Sequence, residues 1–214
     1  MIMSRRTFFI GSLALAADGP LVSPVLAGVP RFSARAERLS RVLDELQVEE
    51  RWIAGIHVDW ATGLPDGIPV SNRGRHTHCS AFAAAAAMRL GVYLLRPPEH
   101  SQELLANAQF EWLALEGARA GWQPVPDPFA AQALANRGDL VVATYRNHHP
   151  DKPGHIGIVR PSLKSDALIA QEGPDSIMAS TINRRLISIR DGFAGHPSAW
   201  GQGELRYYAT RLPA

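Results

Sequence analysis

Gly138-Asp139-Leu140-Val141-Val142-Ala143-Thr144-Tyr145 and, a short loop later, Gly154-His155-Ile156-Gly157-Ile158-Val159 decide how this chain is read. Before Gly138 the apolar residues recur at helical spacing; after it they run in short extended stretches. Upstream, Ser33 to Glu50 reads as an amphipathic helix, with Ser33 as N-cap and Leu39, Val42, Leu43 and Leu46 on one face. Cys79 to Tyr93, CSAFAAAAAMRLGVY, reads as a small-residue helix that neighbours can approach closely. Ser101 is expected to cap a helix running to Gly117, and Asp127-Pro128 opens a shorter one ending at Gly138. Trp52 to Trp60 alternates like a strand, and Gly63 to Arg75 is rich in turn residues. Downstream, Leu140–Tyr145, His155–Val159, Ala167–Glu172 and Leu186–Arg190 are expected strands. Helices first and strands afterwards predict an α+β domain with a small antiparallel sheet.

The chain has 214 residues, 22 Lys+Arg against 20 Asp+Glu, and 46% hydrophobic content. That is enough for a real core, and it excludes a disordered chain. A net charge of +2 gives no electrostatic case for a nucleic-acid partner. The lone cysteine, Cys79, excludes a disulfide framework and a multi-cysteine cluster. Residues 1–27 read as an address: Ser4-Arg5-Arg6-Thr7-Phe8-Phe9 resembles a twin-arginine export signal. An apolar run from Ile10 to Ala17 follows, and Val25-Leu26-Ala27 offers a cleavage site. The expected organisation is signal peptide 1–27, helical extension 28–50 and catalytic domain 51–214, located in the periplasm or outside the cell. No membrane span is expected after processing, since no other segment approaches ~20 apolar residues.

Three positions carry the chemistry. Cys79 opens the Ala-rich helix, where free N–H groups and the helix dipole favour a thiolate. The same N–H groups face the place where an oxyanion would develop. His155 opens a strand, and Gly157 two places on leaves room for a close approach to the backbone. Gln171, in Leu168-Ile169-Ala170-Gln171-Glu172-Gly173, is expected on the next strand, where it would orient the imidazole. Alternation puts either Gln171 or Glu172 on the His155 face, so Glu172 is the substitute for that role.

The HCSAF helix start and the GDLVV and GHIGIV strands, in that order, resemble the core of the NlpC-type cell-wall cysteine peptidases. These share a papain-like fold with the CHAP amidases. The resemblance spans roughly Trp52 to Phe193. It implies a papain-like core with Cys79 as nucleophile, His155 as base and Gln171 as third member. It further implies no cofactor, and an amide or peptide substrate of which murein stem peptides are the first expectation. The family has Asp before the Cys and Gly two places after it; here stand His78 and Ala81. Without that carboxylate, no free substrate amine is expected to be needed.

Two other classes compete. One is a non-catalytic periplasmic binding protein on the same fold, with Cys79 merely buried. The other is a zinc protein using His76, His78 and Cys79, since alternate histidines share a face on an extended segment. The GxSxG, Walker and dinucleotide motifs are all missing. Trp60, Arg73, Arg75, Trp112 and Trp122 could line a cleft or equally serve core and surface. Replacing Arg5 and Arg6 by Lys should hold an uncleaved precursor in the cytoplasm, read by fractionation and immunoblot; normal processing would remove the twin-arginine assignment.

Overall fold

Ser33 caps the first helix as its sequence requires: its hydroxyl accepts from the Ala36 N–H at 3.1 Å, and α1 spans Ala34–Glu45. The computed structural model describes residues 32–70 and 76–213. The export signature, the cleavage site, Arg73 and Arg75 therefore lie outside the described residues. No described helix is long and apolar enough to cross a membrane.

After α1 come α2 (Cys79–Arg89), α3 (Leu105–Leu115), a 3-10 turn (Gly117–Ala120), β1 (Trp122–Val125), α4 (Pro128–Asn136), β2 (Leu140–Tyr145) and β3 (His155–Val159). The chain continues through α5 (Asp166–Glu172), β4 (Asp175–Met178), β5 (Arg184–Ser188), α6 (Ile189–Gly192), α7 (Pro197–Gly201) and β6 (Arg206–Thr210). The six strands form one sheet in the order β1-β6-β2-β3-β4-β5, every neighbouring pair antiparallel. The class is thus α+β with an antiparallel sheet.

Both sheet faces are covered, which is why β2 and β3 read as near-continuous apolar runs. Leu140, Val142, Ile156, Ile158 and Ile177 point to one face and pack with residues of α1, α2 and α3. Val141, Ala143, Tyr145, Val159 and Met178 point to the other and pack with residues of α4, α6 and α7. From Cys79 to Ala87 every residue of α2 is buried. Small side chains make that possible, because neighbouring elements can close on all sides of the helix without cavities.

Several expected elements differ. Trp52–Trp60 is a loop holding a single bridge, Val58 to Pro65. Trp52 sits at φ +52° and is fully buried, its ring edge-on to Phe82 at 5.2 Å. Burial of that indole overrides the alternation. Ser101 caps nothing: the chain turns through Leu104 at φ +52° before α3 begins. Ala167–Glu172 is helical rather than extended, because Ser165 accepts from the Leu168 N–H at 3.4 Å and starts α5. The strand that follows β3 is instead β4.

Gly138 joins the two ends of the sequence. It stands at φ +87°, and a Cβ there would come within 2.5 Å of the Arg35 carbonyl carbon and 2.6 Å of the Ala36 nitrogen. Both the left-handed backbone and the approach of α1 demand glycine. Gly138→Ala should therefore lose roughly 2–4 kcal/mol, from left-handed strain plus overpacking against backbone. Urea denaturation followed by circular dichroism checks this; a loss under about 1 kcal/mol would mean that α1 is free to shift.

Candidate active site

The start of α2 has no side-chain cap. The Phe82 N–H is the first of the helix to find a helical acceptor, the His78 carbonyl at 2.9 Å. The N–H groups ahead of it must be satisfied by something else. The N–H groups of Cys79 and Ser80 and the Ser80 hydroxyl lie close enough to Cys79 Sγ to favour its thiolate. A further donor comes from the sheet. Arg160 N–H donates to the Asp175 carbonyl at 2.8 Å, and Ile158 pairs with Ile177, so the next β4-facing N–H on β3 belongs to Ile156. Its natural partner, Ala179, lies beyond the end of β4. The Ile156 N–H acts on Cys79 Sγ, again favouring the thiolate.

The thiol is only 3% exposed. Burial pushes its pKa up to about 11, and the surrounding N–H donors only partly oppose that rise. It is a neutral thiol held among groups that would stabilise a thiolate.

His155 adjoins Ile156 in the chain, and its ring lies on the face with Met178 and Phe193. Its Nε2 is 3.2 Å from Met178 Sδ, Phe193 meets it edge-on at 4.7 Å, and His196 stacks on it at 5.6 Å. It is 4% exposed, and burial, aided by His196, pushes its pKa down to about 3. Gly157 makes the Met178 contact possible, since a Cβ there would lie 2.7 Å from Met178 Cε. Among the described residues no hydrogen bond joins His155 to Cys79. The structure sets the two side chains on opposite faces of the sheet, Cys79 with Ile156 on the α2 face and the His155 ring with Met178 and Phe193 on the other.

Gln171 does not join them. It is exposed on α5, and its backbone carbonyl faces Arg190 at 3.5 Å. Glu172 is equally excluded, since it is paired to Lys164 at 2.7 Å and Arg190 at 3.5 Å. Met178, a thioether, stands where a polar orienting group was expected.

His78 donates from Nε2 to the Ile56 carbonyl at 2.8 Å. Burial holds its pKa below the ordinary histidine value against that bond, with His57 and His76 adding to the fall. It anchors the 52–66 loop over the start of α2. Asp59, nearby on the same loop, accepts from the Thr62 N–H and hydroxyl at 2.9 and 2.7 Å. Among the described residues no three His, Cys, Asp or Glu side chains gather as a metal site, so the zinc set His76, His78 and Cys79 does not form. Trp122 is core, Trp112 packs edge-on to Tyr93, and Trp60 and Tyr93 flank the Arg96 guanidinium at 5.5 and 5.0 Å.

Supporting residues missed in the sequence are amides. Gln109, fully buried, donates to the carbonyls of Ser80 and Leu95 at 3.0 and 2.9 Å and so fixes the first turn of α2. Asn183 donates to the Val48 and Arg51 carbonyls, both at 2.7 Å, and ties the 46–52 segment to the β4–β5 turn. A Gln on an otherwise apolar helical face was the available signal. No protein-family model matches the chain, and no curated protein does either.

The buried neutral imidazole makes stability depend on pH. The unfolded chain protonates His155 near 6.5, the folded one only near 3, so across that window the unfolded state binds more protons. Stability is full above pH 6.5 and falls as the pH drops toward 3, by up to about 1.4 kcal/mol per pH unit from this group. His155→Gln should flatten the slope of unfolding free energy between pH 6 and 4, whatever its effect at pH 7. An unchanged slope, measured by urea titration, would show that His155 is solvated.

Proposed function

We propose that this protein is an exported thiol hydrolase acting on an amide or peptide bond, with Cys79 as nucleophile and His155 as its base. The observation that carries the reading is the ring of donors around one sulfur. A cysteine buried only for packing behaves as a small apolar group. Here the N–H groups of Cys79, Ser80 and Ile156 and the Ser80 hydroxyl all act on Sγ to favour its thiolate, at a helix start, with the His155 ring on the far face of the same strand.

In the reaction, the His155 side chain turns to the α2 face, and Sγ attacks the carbonyl carbon as its proton passes to that imidazole. The N–H groups at the start of α2 receive the oxyanion. The C–N bond breaks as His155 returns the proton to the leaving amine, leaving a thioester. Water then attacks, His155 takes its proton, and the C–S bond breaks to give a carboxylic acid and the free thiol. The described residues hold no polar third member, so the imidazole is positioned by packing. Murein stem peptides as substrate, and a periplasmic or extracellular site of action, rest on the resemblance to NlpC-type peptidases and on the export signature.

A second reading has its own support. A thiol pushed to about 11 and an imidazole pushed to about 3, without a bond between them, suit a non-catalytic binding protein. Iodoacetamide, a thiol-reactive amide, separates the two. The hydrolase reading expects folded protein to label at Cys79 near neutral pH, and His155→Ala to slow labelling by about a hundredfold or more. Labelling only after unfolding in urea would favour the binding protein. Mass spectrometry of murein digested with wild type and with Cys79→Ala tests the substrate: new stem-peptide fragments should require the thiol.

A further inference from the structure

His155 is enclosed from two sides, and the two covers differ. Phe193 meets it edge-on at 4.7 Å with 71° between the rings, from inside the core at 1% exposure. His196 lies nearly parallel to it, 24° between planes and 5.6 Å between centroids, and is itself partly exposed. His196 leans on Tyr145 as well, at 5.1 Å, and the Tyr145 hydroxyl is fixed to Ser198 Oγ at 2.9 Å. His196 is thus held against β2 and β3 by ring packing, at the point where the chain enters α7. The preceding Gly195 has open space around its Cα.

We propose that His196 is a positioning residue for His155: its ring supplies the cover that holds the imidazole in place and sets where it titrates. The proposal rests on the hydrolase reading for its catalytic meaning, though not for its physical content. A base kept neutral far below pH 7 is too weak to draw a proton from a thiol, so the cover decides when His155 can act. The titratable groups against His196 are His155 from β3 and Tyr145 from β2. His148 lies on the Tyr145 ring at 6.4 Å and is paired to Glu204 at 2.8 Å. A carboxylate in contact with His196 would offset the effect of burial; what touches it here is aromatic, and burial holds its own pKa below the ordinary histidine value.

Two substitutions separate cover from charge. His196→Phe keeps a ring on His155 and removes the titrating group; His196→Ala removes both. The His155 Cε1–H resonance, assigned by its loss in His155→Gln, is followed through a pH titration of the full chain. His196→Ala should raise the His155 midpoint by about one pH unit or more, whereas His196→Phe should leave it within about half a unit of wild type. The pH profile of iodoacetamide labelling at Cys79 should move with it, His196→Ala reacting about tenfold faster near neutral pH. An unmoved His155 midpoint in His196→Ala overturns the proposal, as does an equal rise in both variants. If Cys79 never labels in the folded state, the hydrolase reading fails while the His155 titration still decides the role of His196.

Discussion

A helix that begins inside a protein brings N–H groups with no helical acceptor, and leaving them unpaired costs about 1–3 kcal/mol apiece. Here the N–H groups of the first turn of α2, on Cys79 and Ser80, act on the sulfur of the helix's own first residue. The Ile156 N–H acts on the same sulfur, at the point on β3 where the ladder to β4 has run out. One atom therefore lies where a helix start meets a strand end, at the packing of the central helix on the central sheet. The Ala-rich sequence behind Cys79 lets α2 lie close enough for this, and Gln109 holds the Ser80 carbonyl so that the turn cannot slide.

The protonation states follow from a competition that burial wins. Donors around Sγ favour a thiolate, yet the thiol stands near 11, while the imidazole stands near 3. Burial therefore opposes moving the thiol proton to His155 from both ends. A neutral pair is the stable arrangement of the closed site, and any chemistry waits on something polar reaching it, whether substrate or water. That places weight on the covers of His155 rather than on a third polar residue.

Much of this was legible in the chain. The helix starts at Ser33 and Asp127 follow from side chains that cap, and the strands at Leu140 and His155 from apolar runs no helix of that length would carry. Cys79 at a helix start and His155 at a strand start were readable because each sits at a boundary. What failed to show depends on contacts far apart in sequence. The Trp52 indole, buried against Phe82, cancels a strand pattern. β1 and β6, short and without a clean alternation of polar and apolar residues, are defined by the pairing of β6 with β1 and with β2. His196 and Met178 carry no local signature, since their importance comes from which ring or sulfur they meet.

The misplacement of Gln171 has a physical source in one buried cation. The Lys164 side chain is 6% exposed; its ammonium meets Glu172 at 2.7 Å and Asp175 at 2.9 Å, and donates to the Gly173 carbonyl at 3.0 Å. Burial alone would lower its pKa, but the two carboxylates more than compensate and hold it above the ordinary lysine value. Breaking such a buried pair from one side costs several kcal/mol, so the turn between α5 and β4 is tightly fixed. Asp175 must then open β4 beside the ammonium, and Ser176 falls opposite Val159. With that register set, the residue that reaches the His155 face is Met178, while Gln171 is left on the solvent side of α5. The identity of the group beside the imidazole is thus decided not at the site but by an ion pair at the far end of the strand.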